Sequence, residues 1–385
     1  MNPQPLVDFA PALRLALLAA VIALLPLAWI WVRQRGGHTP RRLAALTTLT
    51  LFLTFDLVAF GAFTRLTDSG LGCPDWPGCY GQASPLGAHE DIHAAQTAMP
   101  SGPVTWNKAW IEMIHRYLAM TVGVLIVVMA AAAWRERRRL PFSPWWPTLT
   151  LLWVVLQGLF GKYTVTLKLY PAVVTLHLLG GLVLLALLAV QHEAFRQRPL
   201  GMPLKTPLKM PPALRRATLV AMAVLGVQIA LGGWVSTNYA VLACTGFPQC
   251  NGQWWPAMDA GSGFTLLREL GFAGQGGALP FEALVAIHMV HRVFALLATA
   301  VLASLAWRLW RHGERVLRRF GQALSLLLTL QLVSGLSNVV LGWPLVAALG
   351  HTAGAAALVL TLTLLLARSA SREPAAVSRA APLAA

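Results

Sequence analysis

Apolar residues lie in nine long runs along the chain, separated by polar connections. The runs span about 11–32, 44–65, 108–133, 146–168, 172–191, 217–236, 282–307, 321–342 and 345–367. Each is close to the roughly 20 residues that a helix needs to cross the hydrocarbon core of a bilayer. Backbone polar groups in lipid must be paired within the structure, and these runs are too long and continuous for barrel strands. The pattern therefore predicts an all-α integral membrane protein with nine spans.

The composition supports this prediction. Of 385 residues, 57% are hydrophobic and only 11% are charged, whereas about a quarter of the residues of a soluble domain are charged. Such a chain cannot cover itself with a surface compatible with water. Composition thus excludes the soluble classes and makes membrane lipid a partner of the protein.

The net charge of +16 is concentrated on alternate connections. Of the 30 Lys and Arg residues, 22 lie in the connections 33–43, 134–145, 192–216 and 308–320 and in the tail from residue 368. By the positive-inside rule these segments are cytoplasmic, so the N-terminus is predicted outside and the C-terminus inside. The charge therefore reflects topology, and we expect no nucleic-acid partner.

The two ends of the chain lie outside the main pattern. The first run follows Met-Asn-Pro-Gln-Pro, without a basic segment before it or a small-residue cleavage site after it, so we expect a retained helix rather than a signal peptide. Residues 369–385 are rich in Ala, Ser, Arg and Pro, which predicts a disordered cytoplasmic tail.

The chain contains an internal duplication. The segment GAFTRLTDSGLGCPDWPGCYGQ, from Gly61, aligns without a gap with GGWVSTNYAVLACTGFPQCNGQ, from Gly232. This alignment matches two cysteines of each segment at an offset of 171 residues. Two histidines match further along, His115 with His291 at an offset of 176 and His177 with His351 at an offset of 174.

Each copy holds four spans, an even number, so both copies have the same orientation in the membrane. We therefore predict two four-helix bundles related by a pseudo-two-fold axis along the membrane normal. Residues 44–200 form the N-terminal half and residues 201–368 the C-terminal half. Residues 1–43 hold an extra N-terminal transmembrane helix and its cytoplasmic connection.

The two matched pairs of histidines are the main candidate ligands. His115, His177, His291 and His351 all lie six to nine residues from the outer end of a predicted span, roughly 10 Å deep. The other histidines are predicted in connections, His38, His89, His93, His192 and His312, or have no histidine counterpart, His288.

Ionisable side chains inside a bilayer are costly and usually functional. Two imidazoles at equal depth on two helices suit bis-histidine ligation of a haem iron, whereas a bare zinc or copper ion would need further ligands nearby. Hydrogen bonds between helices are the simpler alternative for each histidine taken alone. Because four histidines lie at one depth in duplicated pairs, the sequence favours one haem in each half.

Arg116 and Arg292 directly follow His115 and His291. A guanidinium binds carboxylates through a planar fork, so haem propionates are natural partners. An ion pair with a protein carboxylate, or hydrogen bonds to carbonyl groups, would also satisfy these arginines. Glycines near the histidines, such as Gly161 and Gly335, would leave room for a flat macrocycle, although glycines commonly serve close helix packing in membranes.

Glu112 breaks the symmetry of the two halves. It lies three residues before His115, and the matching residue of the second half is His288. A buried carboxylate beside a haem points to proton handling or stabilisation of positive charge. This difference predicts chemistry in the first half and an electron-transferring haem in the second. Two alternatives stay open: Glu112 forms an ion pair with Arg116, or His288 replaces His291 as the ligand.

Four cysteines form two close pairs in the two largest outer connections, Cys73 with Cys79 and Cys244 with Cys250. An oxidising compartment and close spacing both favour two short disulfides. Unpaired thiols or a metal site are the alternatives, and the pattern leaves open whether the pairs have a redox role.

Taken together, these motifs resemble the haem A synthase family, membrane enzymes that convert haem O to haem A for terminal oxidases. The resemblance rests on GAFTRLTDSGLGCPDWPGC, on the ExxHR motif that begins at Glu112, and on the histidine pattern of both halves, and it covers about 44–367. It implies that His115 and His177 coordinate the substrate haem O, that Glu112 is the catalytic carboxylate, and that His291 and His351 hold a permanent haem B.

The resemblance also implies the reaction and its setting. The C8 methyl group of the porphyrin would be oxidised to formyl with oxygen from water, in the bacterial inner membrane. Haem O synthase would deliver the substrate, and cytochrome oxidase assembly factors would be further partners. The cysteine pair of the family corresponds to a disulfide between Cys73 and Cys79. The extra N-terminal helix departs from the eight-helix pattern of the family.

Two other classes of protein remain as alternatives. A di-haem b-type electron-transfer subunit would explain four ligands but not the asymmetry at Glu112. A secondary transporter built on parallel repeats would explain the duplication, but it predicts broken helices, a polar cavity and no haem absorbance.

Overall fold

The computed structural model describes residues 10–36, 39–197, 208–269 and 278–369. Within these residues, nine helices are long and apolar enough to cross a membrane. The helices are α1 (Ala10–Arg33), α2 (Thr39–Leu66), α3 (His89–Ala98), α4 (Trp106–Arg135), α5 (Trp145–Thr166), α6 (Pro171–Gln197), α7 (Pro212–Thr237), α8 (Ala260–Gly263), α9 (Phe281–Trp310), α10 (Arg315–Val340) and α11 (Leu345–Ser369). The spans are all of these except the short α3 and α8, so the prediction of a nine-span all-α protein is confirmed.

The helices extend past the apolar runs, which corrects one predicted position. His192 was expected in a connection but lies in α6, whereas His89 and His93 lie in α3, a short helix within the connection between α2 and α4. The last turns of α6 are buried and find polar partners: Nδ1 of His192 lies 2.9 Å from the Thr48 hydroxyl of α2. An apolar run marks only the part of a helix that crosses hydrocarbon. A helix continues beyond it wherever polar side chains find partners.

The prediction of a disordered tail falls almost wholly outside the described residues. The exception is Ser369, which is the last residue of α11.

Buried hydroxyl groups in α2 bond to their own helix. Thr47, Thr50 and Thr54 are almost completely buried. Each donates to the carbonyl oxygen four residues earlier, at 2.9, 2.8 and 2.7 Å. Such back-bonding satisfies a hydroxyl group without any partner on another helix. These threonines therefore let α2 pack in the core without an unpaired polar group.

The spans group into two sets of four. In the first, α2 contacts α4 and α6, and α5 contacts the same two helices. In the second, α9 contacts α7 and α10, and α11 contacts the same two. Helix α1 packs against α4 and α2 from outside the first set. This arrangement is the one expected of two four-helix bundles with an additional helix.

The contacts between the two bundles follow the pattern of a two-fold axis. The fourth span of one bundle, α6, meets the fourth span of the other, α11. The first span of each bundle meets the fourth span of the other, since α7 contacts α6 and α2 contacts α11. Exchanging the two bundles leaves this set of contacts unchanged.

Two polar contacts join residues that the duplication itself relates. Arg65 donates to the carbonyl oxygen of Ser236, which is 171 residues later. The Tyr239 hydroxyl donates to Oδ1 of Asp68 at 2.9 Å, again across 171 residues. Equivalent positions can touch only close to the axis that relates them. The pseudo-two-fold axis therefore passes beside these four residues, at the ends of α2 and α7.

Both predicted disulfides are present at the ends of the same two spans. Cys73 and Cys79 are bonded, as are Cys244 and Cys250. Each bridge closes a short loop, and a turn follows directly after it. A pair of backbone hydrogen bonds closes this turn, between Cys79 and Gln82 in one half and between Cys250 and Gln253 in the other. The duplication thus extends from the spans to the fold of the two connections.

Candidate functional site

The four duplicated histidines lie in two pairs, one inside each bundle. His115 lies on α4 and His177 on α6, and His291 lies on α9 and His351 on α11. Within each bundle the two helices of a pair are not neighbours in the ring of contacts. The two histidines of each pair therefore come from helices on opposite sides of their bundle.

In the first half, each imidazole lies over a glycine of the preceding span. A Cβ atom added to Gly61 of α2 would lie 3.0 Å from Cε1 of His115. A Cβ atom added to Gly161 of α5 would lie 3.7 Å from Cε1 of His177. The glycines therefore form shallow cradles that hold the rings close to the neighbouring backbone.

The second half repeats both cradles. A Cβ atom added to Gly232 would lie 3.1 Å from Cε1 of His291, and one added to Gly335 would lie 3.1 Å from Cε1 of His351. Sequence analysis selected Gly161 and Gly335 only as weak signals, and it did not assign Gly61 and Gly232 to the site. The aligned segments begin at these two glycines, so the duplication already contained the signal.

Among the residues that the structure describes, no hydrogen bond ties the histidines of the first half to another helix. Nδ1 of His115 and Nδ1 of His177 are buried, and neither has a hydrogen-bond partner among the described residues. Phe60 stacks beside His115 with ring centroids 6.3 Å apart. A helix-bridging hydrogen bond, the simpler alternative for a membrane histidine, thus does not account for this pair.

The histidines of the second half do have polar neighbours. Nδ1 of His291 lies 3.1 Å from Nε2 of Gln228, on α7. Nδ1 of His351 lies 3.0 Å from the Ser334 hydroxyl, on α10. Neither partner was predicted from the sequence, and neither has a polar counterpart in the first half.

His288 makes its hydrogen bond outside the histidine pair of its own half. It is buried, and its Nδ1 lies 3.0 Å from the carbonyl oxygen of Ala240, in a 3-10 turn beyond α7. His291, by contrast, packs on the glycine that matches Gly61. This geometry favours His291 over His288 as the partner of His351.

A bare metal ion would need more ligands than either histidine pair offers. Within the ranges that the structure describes, no group of three or more His, Cys, Asp and Glu side chains is arranged to hold one. Each histidine pair offers two nitrogen ligands.

Glu112 is buried one turn from His115, under the first disulfide loop. Its side chain is 5% exposed. Oε2 accepts a hydrogen bond of 2.8 Å from the backbone N–H of Cys73, and Oε1 accepts one from Arg116. A buried carboxylate needs such donors because burial without them is very costly. The loop and the helix therefore hold the carboxylate jointly.

Arg116 also binds the disulfide loop itself. Its Nη1 donates to the carbonyl oxygens of Asp75, at 2.9 Å, Pro77, at 3.2 Å, and Gly78. The ion pair with Glu112, one of the alternatives left open by the sequence, is thus present together with hydrogen bonds to carbonyl groups. A contact of Arg116 with a haem propionate stays a prediction.

Arg292 repeats this arrangement in the second half. It donates to the carbonyl oxygens of Gly246, at 3.1 Å, and Gln249, at 3.3 Å, which match Asp75 and Gly78 in the duplication. Its Nη2 also donates to the carbonyl oxygen of Cys244, at 3.0 Å. Its Nε is buried without a partner among the described residues. A propionate contact of Arg292 likewise stays a prediction.

The loop closed by Cys73 and Cys79 should lose order when its disulfide is removed. Replacing both cysteines with serine removes a short loop closure that contributes about 2 kcal/mol. Amide exchange of residues 72–82 should therefore be roughly 30-fold faster, as measured by hydrogen exchange and mass spectrometry. The matched variant C244S/C250S should accelerate exchange only in its own loop. Unchanged exchange in the first variant would show that contacts with Arg116 alone hold the loop.

Comparisons with known proteins agree with this architecture. The sequence profile of the COX15-CtaA family, described as cytochrome oxidase assembly protein, matches residues 44–363. A protein of Shewanella oneidensis named haem A synthase is 39% identical over 323 residues, which cover 83% of this chain and 94% of the relative.

More distant relatives bear the same name. A haem A synthase of Paracoccus denitrificans is 29% identical over 88% of this chain and 91% of its own length. One of Halalkalibacterium halodurans is 27% identical over 81% of this chain and 91% of its own length. The profile match leaves α1 outside and includes both histidine pairs, both disulfides and Glu112. The chain therefore belongs to the COX15-CtaA family of cytochrome oxidase assembly proteins.

Proposed function

We propose that this protein is a haem A synthase, which oxidises the C8 methyl group of haem O to a formyl group and so makes haem A for terminal oxidases. It is a multi-pass oxidoreductase of the bacterial inner membrane. The name shared by its relatives supports a role in haem A biosynthesis. The finer assignment rests on the chemistry of the two duplicated sites.

The first histidine pair is the proposed site of the substrate haem O. His115 and His177 lie on opposite helices of one bundle, and each ring packs on a glycine of the preceding span. Neither Nδ1 has a hydrogen-bond partner among the described residues, so neither ring is committed to a hydrogen bond with the protein. Two such imidazoles suit the two axial positions of a haem iron.

The second pair is the proposed site of a resident haem B. His291 and His351 have the same cradles, and each Nδ1 has a polar neighbour, as is usual for histidines that ligate metals. When bound, haem B would supply one-electron transfer between the substrate site and an external redox partner. Residues 44–200 would then form the substrate half and residues 201–368 the electron-transfer half.

The observation that carries the proposal is a carboxylate in only one copy of a duplicated site. Glu112 lies one turn from His115, and its place in the second half is taken by His288. The formation of an aldehyde from a methyl group with oxygen from water requires removal of protons and of electrons. A carboxylate can accept a proton from the attacking water or stabilise an electron-deficient carbon. Cys73 and Arg116 would keep it in place for either role.

Partners follow from this reaction. Haem O is apolar and membrane-soluble, so haem O synthase in the same membrane would deliver it. Cytochrome oxidase assembly factors would receive haem A. Helix α1, within residues 1–43, packs on α4 and α2 outside both sites.

Chromatography of the haems extracted from the purified protein tests the proposal. We expect haem B together with haem O, haem A or an oxidised intermediate between them. The matched control is the same chain purified from cells that make no haem O, in which haem B alone should remain. Haem B alone in both preparations would favour a di-haem electron-transfer subunit, and a colourless protein would favour a transporter.

A further inference from the structure

We propose that polar partners of the imidazole rings, present in the second half and missing from the first, determine which half retains its haem. Gln228 and Ser334 would act as positioning residues for His291 and His351. The inference rests on the proposed function, because it takes His291 and His351 as the ligands of haem B. It adds a reason why one site keeps its haem while the other releases it.

Ser334 fixes the proton on the ring of His351. The Ser334 hydroxyl donates to the carbonyl oxygen of Leu330 at 2.7 Å, with a second carbonyl, that of Gln331, at 3.2 Å. A hydroxyl group has one proton to donate. With that proton given to the carbonyl oxygen of Leu330, the Ser334 oxygen accepts from Nδ1 of His351, at 3.0 Å, and Nδ1 carries the ring proton. Nε2 is left with a free electron pair, which is the form that binds iron.

Gln228 contacts the ring of His291 from its face. Its Nε2 lies 3.1 Å from Nδ1 and 3.4 Å from Nε2 of the ring. A group at similar distances from both ring nitrogens does not lie along the Nδ1–H direction, in the plane of the ring. Gln228 would therefore position the ring without selecting its tautomer, whereas Ser334 also fixes the ring proton.

The first half has neither partner. The residue that matches Gln228 at the offset of 171 is Leu57, and the residue that matches Ser334 at the offset of 174 is Phe160. Neither side chain can form a hydrogen bond, and Nδ1 of both His115 and His177 is without a partner among the described residues. All four rings pack on matched glycines, so the two halves differ in the hydrogen bonds of the rings although their glycines correspond.

Partners of this kind change how strongly a histidine holds a metal. They fix the tautomer, orient the ring and raise its basicity, and their loss typically lowers metal affinity about 10- to 100-fold. An imidazole without a partner must also lose ring freedom when it binds. A resident cofactor needs the stronger arrangement, whereas a substrate site must let its product leave.

The test compares S334A, S334T and S337A in the full-length chain. Ser337 lies three residues later on α10, and its hydroxyl donates only to the carbonyl oxygen of Val333, at 2.8 Å, so it is a matched control. We would measure the rate of haem B transfer to excess apomyoglobin by absorbance, and the electron paramagnetic resonance spectrum of the bound ferric haem.

We expect S334A to lose haem B about 10- to 100-fold faster than the unmodified chain and to shift the resonance of its ferric haem. S334T keeps a hydroxyl group and should behave like the unmodified chain, as should S337A. Equal loss rates for S334A and S337A would overturn the inference while leaving the proposed function intact. Absence of haem B from every variant, and from the unmodified chain, would instead contradict the proposed function.

Discussion

Replacing Glu112 with glutamine is expected to abolish most haem A formation while haem B stays bound. Glutamine has almost the same shape and can still accept a hydrogen bond from Cys73, but its amide nitrogen then faces the Arg116 guanidinium, so the retention of haem B checks that the variant is folded. Glutamine cannot accept a proton or balance positive charge. Removal of a general acid–base group typically costs 10²- to 10⁴-fold in rate, so we expect a fall of at least about 100-fold. The measurement is the ratio of haem A to haem O in cells that express the variant.

The matched control is E90Q. Glu90 is an exposed carboxylate of α3, far from the described contacts of Glu112, and its replacement should leave the ratio unchanged. The α-band of haem B at unchanged intensity would show that E112Q is folded. Full activity of a folded E112Q variant would remove Glu112 from the reaction.

Loss of either histidine of the second pair should remove the resident haem. With His291 or His351 replaced by alanine, the iron would have only one axial imidazole, so the low-spin b-type spectrum should collapse. With His115 replaced, the same spectrum should persist, because this residue belongs to the other bundle. The measurement is the absorbance spectrum of the reduced, purified variants, together with their haem content per chain.

H288A serves as the control for this series. The His288 ring is bonded to the carbonyl oxygen of Ala240 rather than to the histidine pair, so its loss should leave a low-spin spectrum. A collapse in H288A with retention in H291A would exchange the two assignments. Retention in both H291A and H351A would refute the second site altogether.

The sequence predicted the spans and the histidine pairs well because both depend on strong, repeated signals. Hydrocarbon imposes a minimum length on every apolar run, and the runs 282–307 and 345–367 fall inside α9 and α11. The duplication then places His115 with His291 and His177 with His351 at equivalent positions. Neither step requires knowledge of how one helix is rotated against another.

The partners of the arginines and of Glu112 were harder to predict. Arg116 binds three backbone carbonyl groups, and Glu112 accepts from a backbone N–H. Every residue except proline carries such groups, so the sequence cannot mark which of them lie near an arginine. The fold of the loop between Cys73 and Cys79 decides this, and a short irregular loop has no periodic pattern to read.

The second-half partners of the imidazoles could have been found from the duplication. Gln228 and Ser334 are polar residues within apolar spans, and their counterparts Leu57 and Phe160 are not polar. A polar residue gained by one copy only is informative for the same reason as Glu112. The sequence does not show, however, that their side chains reach Nδ1, because that depends on the rotation of α7 and α10.

The contacts at the pseudo-two-fold axis bear on the ancestry of the chain. In a symmetric dimer of a single four-helix unit, a residue on the axis meets its own copy. An arginine at position 65 would then have faced an identical arginine, and Asp68 an identical aspartate, with repulsion between like charges in both cases. In a single polypeptide the matched positions can carry different residues. Arg65 donates to the backbone carbonyl oxygen of Ser236, a group that any residue would provide, whereas Asp68 accepts from the side chain of Tyr239. The contact of Asp68 with Tyr239 is therefore one that two identical subunits could not make on their axis.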